Sequence, residues 1–271
     1  MRVALLQMTS GIDPLANAAT LTNAVRDAAA GGAVMLFTPE MSGLLDRDRT
    51  RGRASIVGEE DDRVLASVRA AAAQHGLWVH LGSLALLRED GRLANRGFVI
   101  DDAGAIRARY DKIHLFDVDL PTGESWRESA SYAPGEATAV VATPLGRLGL
   151  SICYDLRFPA LYGALSAAGA TMLAVPAAFT APTGTAHWHV LMRARAIENA
   201  AFVIAAAQVG TQADGRTTYG HSLVVDPWGE VLLDMGDAAG LGMVDLPIDR
   251  VAEVRARIPV VDHRRPIPAT A

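Results

Sequence analysis

Short apolar runs recur along the whole chain, at 3–8, 33–37, 77–86, 97–100, 106–110, 139–143, 148–152, 171–175, 202–207, 222–225, 231–233 and 242–244. Each is rich in strand formers and bounded by residues that favour turns, the pattern of β-strands with one or both faces covered. Between several of them lie segments of helical composition. Residues 14–30 are rich in Ala and Asn and stop at Gly31-Gly32, and 61–75 close on Gly76, glycine being the common residue just past a helix end. Residues 159–168 open on Pro159, which suits a first helical turn, and 185–199 set Arg and Glu on one face. Early and late strands alternate with helices. By contrast, 77–110 and 219–246 read as antiparallel meanders with turn signals at Asp90-Gly91, Ala103-Gly104 and Pro227-Trp-Gly229. This mixture predicts an α/β fold, a layered sandwich of two mixed sheets face to face with helices outside. No repeat, low-complexity tract or Gly/Ser linker divides the chain, so residues 1–271 are expected to form a single domain, with about 259–271 as an extended tail. The one long stretch without periodicity is 112–136. A loop that long inside a compact domain is either functional or disordered.

Composition narrows the class. Half of the 271 residues are hydrophobic and 20% are charged, which suits a globular protein with a sizeable core. A net charge of −5 argues against nucleic acid as a partner, since phosphate binding needs a basic surface, and the one dense basic cluster, His263-Arg264-Arg265, lies in the tail. No stretch of about 18 apolar residues lacks charge, so no membrane span is expected. The first eight residues have too short an apolar core for a signal peptide and read as a strand. A cytoplasmic location is expected, in agreement with a single cysteine, Cys153.

That cysteine cannot form an internal disulfide or assemble a thiolate metal cluster. It stands at the end of the apolar run 148–152, as Glu40 follows 33–37 and Lys112 follows 106–110. Taken singly, each has a bland reading: a cysteine packed in the core, a glutamate at a helix cap, a lysine in solvent. Jointly the bland reading weakens, because Glu and Lys are poor choices to follow buried strands unless they serve each other. If the strands lie side by side, their ends bring a thiol, a base that can take its proton and a cation that can hold an oxyanion into one pocket. Rival chemistries fit less well. A cysteine phosphatase loop needs Arg six positions on, where Pro159 stands; a papain-like pair would need His187, His189 or His221 as base. His187 and His189 alternate and so do not share a helix face, and no metal or other cofactor is expected. No G-x-S-x-G, P-loop or G-x-G-x-x-G signature occurs.

Phe37-Thr-Pro-Glu40, Tyr110-Asp-Lys112-Ile-His-Leu-Phe-Asp117 and Leu150-Ser-Ile-Cys153-Tyr-Asp-Leu-Arg157-Phe-Pro159 resemble the three signature segments of the nitrilase (carbon–nitrogen hydrolase) superfamily. The resemblance runs end to end, through 186–198, 219–229 and 263–266. It implies a four-layer αββα sandwich, assembled as a homodimer or higher oligomer. It also implies Glu40 as general base, Lys112 as oxyanion stabiliser and Cys153 as nucleophile, with the Tyr154 N–H as a second oxyanion donor. Glu128 best matches an auxiliary glutamate that orients Lys112 and the substrate amide, and Glu124 competes for that role. The segments 112–117, 186–188, 193–198 and 219–222 are most similar to the branch containing the deaminated glutathione amidases and ω-amidases.

The implied reaction is hydrolysis of a small, carboxylate-bearing amide through a cysteine thioester. Arg157, Arg127 and His187 are candidates to read the carboxylates, each with an equally plain reading as an ion-pair partner. Two enzyme alternatives are an ω-amidase acting on α-ketoglutaramate and an N-carbamoyl amino acid hydrolase. A third is a binding scaffold without catalysis, disfavoured because Glu40, Lys112 and Cys153 are all present.

Overall fold

Strand β1 (Arg2–Gln7) sends Val3 and Leu5 into one core cluster and Ala4 and Leu6 into another, the period-two alternation of a strand covered on both faces. In β2 (Met35–Phe37), Met35 and Phe37 face one way and Leu36 the other. The computed structural model describes residues 1–119, 123 and 125–268, and it builds these strands into one of two six-stranded mixed sheets. In chain order the first half continues with α1 (Pro14–Ala30), α2 (Arg49–Arg53), α3 (Arg63–His75), β3 (Trp78–Leu87), β4 (Leu93–Ile100) and β5 (Ile106–Asp111). Two short strands, β6 (Asp117–Asp119) and β7 (Ser125–Arg127), pair within the stretch expected to be irregular. The second half holds β8 (Val140–Thr143), β9 (Gly146–Leu150), α4 (Pro159–Ala167), β10 (Met172–Ala174), α5 (Ala181–Asn199) and β11 (Phe202–Ala205). It ends with β12 (Val209–Thr211), β13 (Thr217–Tyr219), β14 (Leu223–Val225), β15 (Val231–Asp234), β16 (Gly240–Asp245) and α6 (Arg250–Arg257).

The first sheet runs β16-β1-β2-β3-β4-β5 and the second β15-β14-β11-β10-β9-β8. In each, three neighbouring strands are parallel, β1 to β3 and β9 to β11, and the flanking strands are antiparallel. Leu21 and Val25 of α1 and Val64 and Val68 of α3 cover the outside of the first sheet. Leu165 of α4 and Trp188 and Met192 of α5 pack with the second. The result is the αββα sandwich, in one domain. Parallel strands leave the sheets at their carboxyl ends, where open α/β sheets place ligands.

Local chemistry fixes the helix ends. The Asp13 side chain accepts from Leu15 N at 2.9 Å and Asp62 from Leu65 N at 2.7 Å, both as N-caps. Gly76 closes α3 in the left-handed region at φ 61°. Helix α5 begins at Ala181 rather than 185, because Pro182 in the first turn forfeits only an N–H that has no helical acceptor. Helix α6 was not anticipated; it is eight residues long and buries only Val251 and Val254. The tail turns over 260–263 and continues without regular structure to 268, and 269–271 lie outside the described residues. Among the described residues no helix is long and apolar enough to cross a membrane.

Candidate active site

Three connections leaving the sheets carry the site. After β2 the chain turns at Thr38-Pro39-Glu40 across β3, and Gly82 makes this crossing possible. A Cβ at position 82 would run into the Thr38 and Pro39 carbonyl oxygens. Gly82 N instead donates to Thr38 Oγ1 at 3.0 Å, and Ser83 Oγ accepts from Met41 N at 2.9 Å. Lys112 directly follows β5, its N–H donating to Asn95 O of β4 at 3.0 Å. Strand β9 ends at Leu150, two residues short of the expected 152. Ser151 and Ile152 lead into a short 3-10 turn, Cys153–Arg157, and Cys153 itself is held at φ 49°. A non-glycine residue in that region is strained, and the strain persists only where surroundings over-determine it. Here Cys153 N donates to Pro176 O at 2.9 Å. The fully buried Asp155 accepts from Ile152 N at 2.9 Å, from Tyr110 Oη at 2.7 Å and from His114 N at 3.0 Å. Asp155 thereby ties the turn carrying Cys153 to the segment carrying Lys112.

The three side chains meet. Lys112 Nζ donates to Glu40 Oε1 at 2.9 Å and to Glu128 Oε2 at 2.9 Å. Asn95 Nδ2 donates to Glu40 Oε1 at 2.9 Å and to Glu128 Oε1 at 3.2 Å, bridging the two carboxylates. Ala178 N reaches Glu40 Oε2 at 2.9 Å, and Phe116 N reaches Glu128 Oε2 at 2.7 Å. Cys153 stands beside Glu40 and Lys112, close enough for their charges to act on its thiol. Glu40, Lys112 and Cys153 are all buried. The Tyr154 N–H lies in the first turn of the 3-10 segment, where an amide has no intrahelical acceptor. Glu128 is thus brought against Lys112, while Glu124, its competitor for the auxiliary role, lies outside the described residues. Asn95 and Asp155 were missed by sequence reasoning. Each is a polar residue inside or beside an apolar run, the one signal that could have marked them.

Charge balance sets the resting protonation. Burial would raise the Glu40 carboxyl, but the Lys112 charge and hydrogen bonds from Lys112 and Asn95 outweigh it and hold the group below its usual value. Burial opposes the Lys112 ammonium, yet Glu128 and Glu40 keep its pKa well above the ordinary lysine value. Burial and then the Glu40 charge push the Cys153 thiol well up, against the pull of Lys112. The resting site is a carboxylate, an ammonium and a neutral thiol.

The site opens into a cavity of about 700 Å³ lined by Met41, Leu45, Trp126, Tyr154 and Phe179 among others. Arg157 and Arg127 line it, but His187 does not; it is exposed and meets Arg157 NH1 at 3.2 Å. His187 thus reaches the cavity only through its contact with Arg157. Arg127 is committed to Asp119, with both carboxylate oxygens at 2.9 Å. His189, which alternation separates from His187, instead meets Asp234 at 2.9 Å, and Asp234 also pairs with His221 at 2.9 Å. That cluster joins α5 to β15.

Comparison with known proteins gives the same picture. The family model described as carbon-nitrogen hydrolase matches residues 2–256. A protein of Yersinia enterocolitica named deaminated glutathione amidase is 40% identical over 266 residues, covering 97% of this chain and 92% of that one. The crystal structure of the C. elegans NitFhit protein superposes with a TM-score of 0.90 at 37% identity, over 97% of this chain and 65% of that chain. An amidase from Nesterenkonia sp. AN1, solved with acrylamide added to its active-site cysteine, gives a TM-score of 0.80 at 30% identity over 96% of this chain and 98% of that one.

Proposed function

The chain belongs to the carbon–nitrogen hydrolase family and is an amidase, and from that premise we propose that it hydrolyses deaminated glutathione through a thioester on Cys153. In this reading the Cys153 sulfur attacks the amide carbonyl carbon while Glu40 takes the thiol proton. The carbonyl oxygen becomes an oxyanion held by the Lys112 ammonium and the Tyr154 N–H. The C–N bond then breaks, Glu40 returns its proton to the departing nitrogen, and cysteinylglycine leaves. Water next attacks the thioester carbonyl, giving one proton to Glu40. The C–S bond breaks, the proton returns to sulfur and 2-oxoglutarate is released. Glu128, 2.9 Å from Lys112 Nζ, holds the ammonium in place between turnovers. Arg157, in the turn that starts with Cys153, is the candidate to read the carboxylate beside the keto group.

One observation carries the reading: a buried carboxylate paired with a buried ammonium at 2.9 Å lines the same cavity as the buried Cys153 thiol. Cys153→Ala is expected to lose on the order of 10⁴-fold or more in kcat on deaminated glutathione. Mass spectrometry of acid-quenched wild type is expected to show the acyl group on the Cys153 peptide. Full turnover by the alanine variant would remove Cys153 as nucleophile. A panel including α-ketoglutaramate and N-carbamoyl amino acids would reassign the substrate if either outpaced deaminated glutathione. Self-association and a cytoplasmic location complete the proposal; sedimentation of the purified chain and cell fractionation test them.

A further inference from the structure

The cavity is larger than one amide needs, and its wall is rich in guanidinium groups. Arg216 is neutralised by Asp214, at 2.9 Å with Asp214 2% exposed, and Arg127 by Asp119. Arg53 donates to Gly91 O at 3.0 Å, and Arg92 to Ser129 O at 3.2 Å and to Tyr132 O. Among the described residues these two charges have no carboxylate, and part of their donor set is used on the backbone. Arg47 is different. Among the described residues it makes no ion pair and no side-chain hydrogen bond; its guanidinium lies over the Trp126 ring, 4.8 Å from the centroid, and Arg216 lies over the same ring at 4.7 Å.

A guanidinium over the face of an aromatic ring is attracted by its charge and keeps N–H groups available to grip a carboxylate through paired hydrogen bonds. The ring also restricts the side chain in advance, so less rotamer freedom is lost on binding. The catalytic cluster supplies no comparable anion site, because Glu40 and Glu128 outnumber Lys112 there.

We propose that Arg47, held over the Trp126 ring, forms a subsite for a second carboxylate carried by the leaving-amine end of the substrate. The inference rests on the amidase reading above and deepens it. In deaminated glutathione the group would be the carboxylate of the terminal glycine, at the opposite end of the molecule from the one assigned to Arg157. Substrates of the α-ketoglutaramate kind have no such group and leave the subsite unfilled. Arg47 is then a residue that sets specificity.

The test compares deaminated glutathione with its terminal carboxamide, which differs only in lacking that charge. Wild type is expected to favour the acid by about tenfold to hundredfold in kcat/KM, carried by KM, the range of a charge-assisted bidentate pair. In Arg47→Ala the preference falls to less than about threefold, and Arg47→Lys, which keeps charge but not the fork, lies between. Calorimetry on Cys153→Ala protein measures the same two ligands without turnover. Equal affinity for acid and amide, or an acid preference that survives Arg47→Ala, would overturn the subsite. An Arg47-dependent preference in binding, with no turnover of either compound by wild type, would keep the subsite and overturn deaminated glutathione as the substrate.

Discussion

Cys153 carries its proton at rest, and that decides how the site can work near neutral pH. A free thiolate nucleophile would need a thiol pKa pulled down, whereas burial and the neighbouring Glu40 charge push it up. Attack and proton transfer to Glu40 must therefore run together. Glu40, held below its usual 4.5, stays ionised as the acceptor through the mildly acidic range. The acid limb of kcat/KM is expected below 4.5, as Glu40 protonates. The same group stabilises the fold above its unfolded pKa and loses that contribution as pH falls through the depressed value. Lys112, raised, gives stability that is complete below 10.5 and is lost as pH rises through its folded value. Glu40→Gln separates base from charge. Turnover should fall about 10²- to 10⁴-fold, while the midpoint of Cys153 alkylation by iodoacetamide should move to lower pH because the carboxylate that raised the thiol is gone. An unchanged or higher midpoint would mean Glu40 does not set the thiol pKa. All three residues were legible in the chain, since each closes an apolar run within three residues. Asn95 was not, because its partners Glu40 and Glu128 lie 55 and 33 residues away and only the register of β4 on β3 and β5 brings them together.

A side chain is placed only as well as the element under it. The turn after β2 passes so close to β3 that residue 82 has room for hydrogen alone. The β3–β4 register shifts between Leu81 and Leu84, where that crossing occurs. Gly82→Ala should push the Thr38–Pro39 carbonyls away, move Glu40 out of reach of Lys112 and cost about 2–4 kcal/mol in urea unfolding. Turnover should drop with it by at least tenfold. Gly91→Ala is the control: its φ of 80° is strained for alanine but its Cβ meets nothing within 4 Å, so about 1 kcal/mol is expected, with turnover kept. Equal effects of the two would mean that glycine's freedom, not the close approach, matters at 82. Sequence periodicity announces β2 and β3 but not this contact. A glycine inside a strand pattern reads as a bulge or a close approach without saying to what. The ends of elements were harder still. Helix α5 starts four residues before the periodic signal because Thr180-Ala-Pro looks like loop until the packed helix is seen.

The two sheets divide the site between them. Glu40 and Lys112 leave the first sheet and Cys153 the second, and Gln208, just beyond β11, donates to Glu40 O at 2.9 Å and to Ser10 Oγ at 2.6 Å across the seam. The alternation of strands and helices predicts a sandwich, but not which strand ends face each other, since that follows from how the two cores pack. The tail shows the same limit. His263-Arg264-Arg265 reads as a solvated basic cluster, yet Arg264 reaches back to Gly163 O at 2.8 Å, Ser166 Oγ at 2.6 Å and Asn199 Oδ1 at 2.7 Å. Its guanidinium thus clamps the C-terminal parts of α4 and α5, where the helix dipole favours a cation. Removing it should cost about 1–2 kcal/mol, the worth of hydrogen bonds to a charged group at a partly wet surface. For a chain of this size that lowers Tm by roughly 2–8 °C. Arg264→Ala is expected to show that drop with kcat/KM kept within about twofold, because the clamp lies on the outer helices. Arg265→Ala removes the same charge without the clamp and should leave Tm within about 1 °C. Equal drops in the two variants would assign the effect to net charge and not to the bridge between α4 and α5.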